Sequence, residues 1–160
     1  MTRKALLKDA TDIYRLINHY AKEGLLLPRS LNSIYENIRD FWVFEREGQV
    51  LGCAGLHVVW EDLAEIKSLA VREDCRGQGI GPSLVEACLR EAKELGVKKV
   101  FVLTYACGFF SKLGFEEVEK TQLPHKVWRE CINCVKFPSC DETAMWMDLE
   151  RAFVGQSLGV

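Results

Sequence analysis

The segment that most constrains the fold is Arg76-Gly77-Gln78-Gly79-Ile80-Gly81, a glycine-rich turn set between a strand-like run and a helical one. Ahead of it, Leu63–Val71 reads as a strand. Behind it, Leu84, Val85, Cys88, Ala92 and Leu95 recur at helical spacing, with Pro82 at the first turn and Gly96 just past the end. Val97–Tyr105 then reads as a second, buried strand. Strand, loop, helix and strand make a βαβ unit, whose two strands pair in parallel. Its loop lies at a helix N-terminus, where converging backbone N–H groups and the helix dipole suit an anion.

The preceding segments add antiparallel structure. Ile13, Leu16, Ile17 and Tyr20 give Ala10–Lys22 one apolar helical face, and Gly24 follows as a C-terminal cap. After Leu25-Leu26-Leu27-Pro28-Arg29-Ser30, a second helix carries Ile34, Tyr35 and Ile38, with Ser30 or Asn32 at its start. Phe41–Arg46 and Val50–Val59 flank a hairpin-length Glu47-Gly48-Gln49, and with Leu63–Val71 they form a meander. The expected class is α+β (mixed α/β): a central mixed, mostly antiparallel sheet with flanking helices. At 160 residues, 48% apolar and 28% charged, the chain suits a single domain spanning 1–160.

Charge and hydropathy exclude several roles. A net charge of -2 gives no general attraction to a polyanion, so nucleic acid is not an expected partner. No run of about 18 apolar residues suggests a membrane span, and charges at Lys8 and Asp9 come too early for a signal peptide. A cytoplasmic protein is expected. Of seven cysteines, Cys53, Cys75, Cys88 and Cys107 read as ordinary core or loop thiols in a reducing compartment.

The loop fits neither common nucleotide motif. A P-loop requires Gly-Lys-Ser/Thr, but Pro82 follows Gly81; the Rossmann pattern requires different glycine spacing and a ribose-binding acid. Arg76, Gly79 and Gly81 instead match the [Arg/Gln]-x-x-Gly-x-[Gly/Ala] loop of the GCN5-related N-acetyltransferases (GNAT). Leu69-Ala70-Val71 is similar to that family's fourth strand, and Phe109-Phe110-Ser111-Lys112-Leu113-Gly114-Phe115 resembles its Phe-Tyr-x-Lys-x-Gly-Phe signature. The likeness extends over roughly residues 1–120. It implies acetyl-CoA as cosubstrate, held by Leu69, Ala70, Val71, Arg76, Gly77, Gln78, Gly79, Ile80, Gly81, Pro82, Ser83, Phe110 and Lys112.

Acetyl transfer from a thioester to an amine requires removal of an amine proton and stabilisation of a carbonyl oxyanion. By the resemblance, the Leu69 N–H is the oxyanion donor and Glu65, in Ala64-Glu65-Ile66, is the general base. The alternative for Glu65 is a solvated strand carboxylate. Phe110 replaces the family's acidic tyrosine. A thiol of parent pKa about 8.5 leaves without much help, with Tyr105 as a substitute acid or merely a half-buried aromatic.

Two segments narrow the acceptor. Val102-Leu103-Thr104 followed by Phe109-Phe110, and Leu27-Pro28-Arg29-Ser30 followed by Phe41–Gly48, resemble the short amino-acid N-acetyltransferases, the N-acetylglutamate synthases. That resemblance implies L-glutamate or L-glutamine as a small-molecule acceptor in the first step of arginine biosynthesis, and it allows a homodimer. Arg29, shaped for bidentate carboxylate binding, and Lys67 are the acceptor-binding candidates. Alternatives are another small amine, a protein N-terminus, or a non-catalytic acetyl-CoA sensor.

A cysteine-containing insertion spans about residues 124–141. His125, Cys131, Cys134 and Cys140 make a Cys3His zinc site conceivable, although the second cysteine pair lacks the usual spacing. Reduced thiols in a folded loop are the alternative, and no metal ligand is assigned.

Overall fold

The computed structural model describes residues 1–123 and 141–150. Its main elements are β1 (Thr2–Lys4), α1 (Ala10–Ala21), α2 (Leu31–Glu36), β2 (Phe41–Arg46), β3 (Gln49–Trp60), β4 (Leu63–Val71), α3 (Ile80–Leu95), β5 (Lys99–Thr104), α4 (Cys107–Lys112), β6 (Glu116–Val118) and β7 (Thr143–Asp148). Seven strands form one sheet in the order β1-β2-β3-β4-β5-β7-β6. β4 and β5 pair in parallel, from Leu63↔Lys99 to Glu65↔Phe101, as a βαβ crossover demands. The pairs β1/β2, β2/β3, β5/β7 and β6/β7 are antiparallel, so the sheet is mixed and mostly antiparallel. Two compact units divide the described residues: Met1–His57 with Ile66–Leu95, and Val58–Glu65 with the described residues from Gly96 onward.

In the first unit, Ile13, Leu16, Ile17 and Tyr20 of α1 bury against Ile34, Phe41, Val43, Cys53 and Ala70. Each large apolar side chain so placed contributes about 1.5–3 kcal/mol. Arg3 of β1 anchors the approach to α1, donating to both carboxylate oxygens of Asp9 at 2.8 and 3.0 Å, while Asp9 also accepts from the Leu6 amide at 2.7 Å. Burial opposes the charge on Asp9, but these donors outweigh it and hold the carboxyl below its ordinary pKa.

Two helix boundaries differ from the sequence reading. The second helix stops at Glu36, and Ile38 lies in a separate short turn. Asn37 causes the break: its side-chain amide donates to the Ser33 carbonyl at 2.8 Å, competing with helical pairing. Ser30 rather than Asn32 caps the start, accepting from the Ser33 amide. The third helix starts at Ile80, two residues before Pro82, with the Ser83 amide bonded to the Gly79 carbonyl. Proline is tolerated there because first-turn N–H groups have no intrahelical partner.

In the second unit, β7 pairs with β5 over six positions, Lys99↔Asp148 to Thr104↔Thr143, and with β6 over Glu116–Val118. Leu63, Phe101, Leu123 and Ala144 form its buried cluster. Lys99 lies over the Trp146 ring at 4.1 Å. Most of the insertion, including His125, Cys131, Cys134 and Cys140, lies outside the described residues. Among the described residues, no helix is long and apolar enough to cross a membrane.

Candidate active site

The glycine loop of the first unit has the backbone expected of an anion cradle. Gly77 and Gly79 take φ of +78° and +80°, and a Cβ built on either meets nothing within 4 Å. Glycine is required there by conformation rather than by crowding. Gly81 is helical, so the left-handed positions are Gly77 and Gly79, and the Ile80 and Gly81 amides head α3. Side chains brace the loop: Arg46 donates to the Gln78 side-chain oxygen Oε1 at 2.6 Å, and the hydroxyls of Ser83 and Thr2 meet at 2.5 Å. Arg76 stacks over the Tyr20 ring, 5.2 Å from its centroid, while the Tyr20 hydroxyl donates to the Val71 carbonyl. Tyr20 therefore ties the loop arginine to the end of β4. Its hydroxyl on an otherwise apolar helix face was the available sequence signal.

Within β4 lies a second unusual backbone. Ser68 has φ of +57°, a conformation that costs a non-glycine residue about 1–2 kcal/mol. Such strain persists only where the surroundings hold it. The small residues of β3 let that strand lie close against β4. A Cβ on Gly55 would come within 3.5 Å of the Lys67 carbonyl, and one on Gly52 within 3.2 Å of the Ala70 carbonyl. Between them, the Cys53 thiol donates to the Ser68 carbonyl at 3.4 Å. Leu69 and Val71 are half-buried beside this point, and Ala70 is buried.

Arg29 is half-buried ahead of α2, where its guanidinium donates to Ser33 at 3.1 Å and stacks over Phe41, 5.1 Å from the ring centroid. Phe41 in turn lies against Gly55. Two residues along β3, the His57 ring nitrogen Nδ1 lies 2.8 Å from Asp40 Oδ2. Cation, aromatic ring and carboxylate-oriented imidazole thus belong to one unit. The sequence reading found Arg29 but not the Phe41 ring on which it stacks. Lys67 is half-buried on β4.

The proton-transfer candidates lie in the second unit. Glu65, aligned with Phe101 of β5, is only 8% exposed, which rules out the solvated strand carboxylate. Tyr105 falls one residue beyond β5, is exposed, and donates its hydroxyl to Asp141. Phe110 is 2% exposed, with edge contacts to Phe109 and Phe115 at 5.0 and 5.2 Å between centroids. It fills a core. Lys112 is exposed in the last turn of α4.

A loop with left-handed glycines at a helix N-terminus, following a strand that itself holds a left-handed residue, defines a protein that grips a phosphate-bearing ligand. The profile of the acetyltransferase (GNAT) family matches residues 7–115, and the chain belongs to that family: it is an acetyl-CoA-dependent N-acetyltransferase. An uncharacterized N-acetyltransferase of Chlorobaculum tepidum is 49% identical over 89% of this chain and 92% of its own length. An amino-acid acetyltransferase of Mycobacterium tuberculosis is 39% identical over 81% of this chain and 76% of its own. The N-acetylglutamate synthase of Neisseria gonorrhoeae, solved with coenzyme A and N-acetyl-glutamate, aligns with TM-score 0.85 at 26% identity, covering 93% of this chain and 35% of that one.

Proposed function

We propose that the enzyme transfers acetyl from acetyl-CoA to the α-amino group of L-glutamate or L-glutamine, as the first step of arginine biosynthesis. The observation that carries this reading is Arg29, a fork-shaped cation held by Ser33 and stacked on Phe41 in the segment that resembles amino-acid acetyltransferases. A guanidinium restrained in this way is prepared for a carboxylate. The likeness to a synthase solved with N-acetyl-glutamate supports the same acceptor. Lys67 is the second cation toward the acceptor.

In this reading the Gly77–Gly79 turn and the first α3 amides hold the pyrophosphate, with Arg76 as counter-charge. The Leu69 N–H donates to the thioester oxygen as that oxygen gains negative charge. Glu65, directly or through water, takes a proton as the amine attacks; the C–N bond forms, the C–S bond breaks, and the thiolate takes its proton from Tyr105 or solvent. Phe110 supplies no proton.

Release of coenzyme A thiol, measured with glutamate, glutamine, aspartate, peptides and polyamines, tests the proposal. Glutamate or glutamine is expected to give the highest kcat/KM, and Arg29→Ala to raise the acceptor KM with little change in acetyl-CoA affinity. Faster acetylation of peptides or polyamines would replace this acceptor. Glu65→Gln is expected to lower kcat at neutral pH by roughly 10²–10⁴-fold, with partial recovery as rising pH supplies free amine.

A further inference from the structure

The Ser68 carbonyl and the Leu69 N–H belong to one planar trans peptide unit, so the two groups point in opposite directions. Whatever holds the carbonyl therefore aims the amide. The Cys53 thiol donates to that carbonyl at 3.4 Å from a fully buried position on β3. Burial pushes the thiol up to about 12, opposed by the Ala70 backbone amide at the same sulfur, so it remains a protonated donor throughout the working range. One sulfur thus meets backbone groups on both sides of Leu69.

Resting on the reading of Leu69 as the acyl-carbonyl donor, we propose that Cys53 is a positioning residue that locks the Ser68–Leu69 peptide plane and aims the Leu69 N–H at the thioester oxygen. It touches no substrate. Glycine alone would leave the plane free to rotate, and an unrestrained serine at φ +57° would relax toward the extended region. A hydrogen bond to the carbonyl also polarises the same peptide unit, making its N–H a better donor. The restraint acts on the transition state more than on ground-state binding, because the oxygen gains charge only as the amine attacks.

Two measurements on Cys53→Ala and Cys53→Ser test the assignment. The first is a kinetic split: Cys53→Ala should lower kcat about 5- to 10-fold with acetyl-CoA affinity and acceptor KM nearly unchanged, and Cys53→Ser, which keeps a donor, should recover part of the loss. The second is the Leu69 amide NMR signal with coenzyme A and with acetyl-CoA. The parent should show a difference between the two complexes, and Cys53→Ala should show a smaller one. If the parent amide does not distinguish them, the reading of Leu69 is wrong. If it does and Cys53→Ala behaves identically, with kcat unchanged, the role of Cys53 is wrong. Should the alanine variant fail to fold, Cys53→Val, which fills the space without a donor, decides: a parent-like kcat and a parent-like difference between the two complexes would overturn the role of Cys53.

Discussion

The glycine loop and the middle of β4 both place backbone in the left-handed region, by opposite means. At Gly77 and Gly79 the residue type permits the conformation, and empty space surrounds each Cα. At Ser68 the residue type resists it, and the packing of Gly52, Cys53 and Gly55 imposes it. A loop that must admit a ligand from outside cannot be crowded, so its shape has to be written into its residues. A strand interior is crowded already, and neighbours can supply its shape.

Five substitutions separate the two mechanisms, beginning with the largest effect. Gly79→Val puts a β-branched residue at φ +80° where the ligand must approach, and should weaken acetyl-CoA binding about 100-fold by calorimetry, with the fold retained. Unchanged affinity would show that the loop needs no left-handed residue. Gly52→Val tests the crowded side, since even a Cβ would lie 2.9 Å from Ile80 Cγ2 and 3.0 Å from Leu84 Cδ1. Overpacking there should cost about 2 kcal/mol in denaturant unfolding; a cost below about 0.5 kcal/mol would mean that β3 and α3 yield freely, and packing would no longer explain the conformation of Ser68.

A smaller effect comes from pH. The Cys53 thiol ordinarily titrates at 9.0 but at about 12 in the fold, so its contribution is complete below pH 9 and declines as pH rises toward 12. The unfolded chain ionises first and gains the stability that the fold lacks. At pH 10 this amounts to about 1.4 kcal/mol, so the stability penalty of Cys53→Ala at pH 7 should shrink by about that much at pH 10. A pH-independent penalty would place the ionisation elsewhere, with buried Cys88, also pushed up by burial, the next residue to replace. Smallest is Ser68→Gly, which relieves strain but frees the unfolded chain, and should change stability by less than about 1 kcal/mol. Gly77→Ala should destabilise by about 1 kcal/mol. Equal signs at the two positions would erase the contrast.

The same contrast explains what could be read in the sequence. Strands β2 to β5, helices α1 and α3 and the loop announce themselves through apolar periodicity and glycine placement, because each is dictated by its own residues. β1 and β6 each have three residues, and α4 has six with Gly108 inside, too little for a period to register. β7 was missed because its place between β5 and β6 depends on partners distant in sequence. Within the site, Arg29 and the glycines stood out as residue types. Burial of Glu65, the thiol beneath Ser68 and the tyrosine under Arg76 did not, since each is a relation between segments that no local pattern encodes.

The cysteines of the described residues carry a practical consequence for the bench. Cys53, Cys75 and Cys88 are buried free thiols, while Cys107 is half-buried. The enzyme's product is itself a thiol, and a chromogenic disulfide reagent that reports it will also titrate any protein sulfur it can reach. While the fold holds, the three buried sulfurs stay dark to that reagent. On opening they add to the colour at a rate set by the native state's own excursions. A no-substrate blank, followed over time, thus doubles as a clock for unfolding.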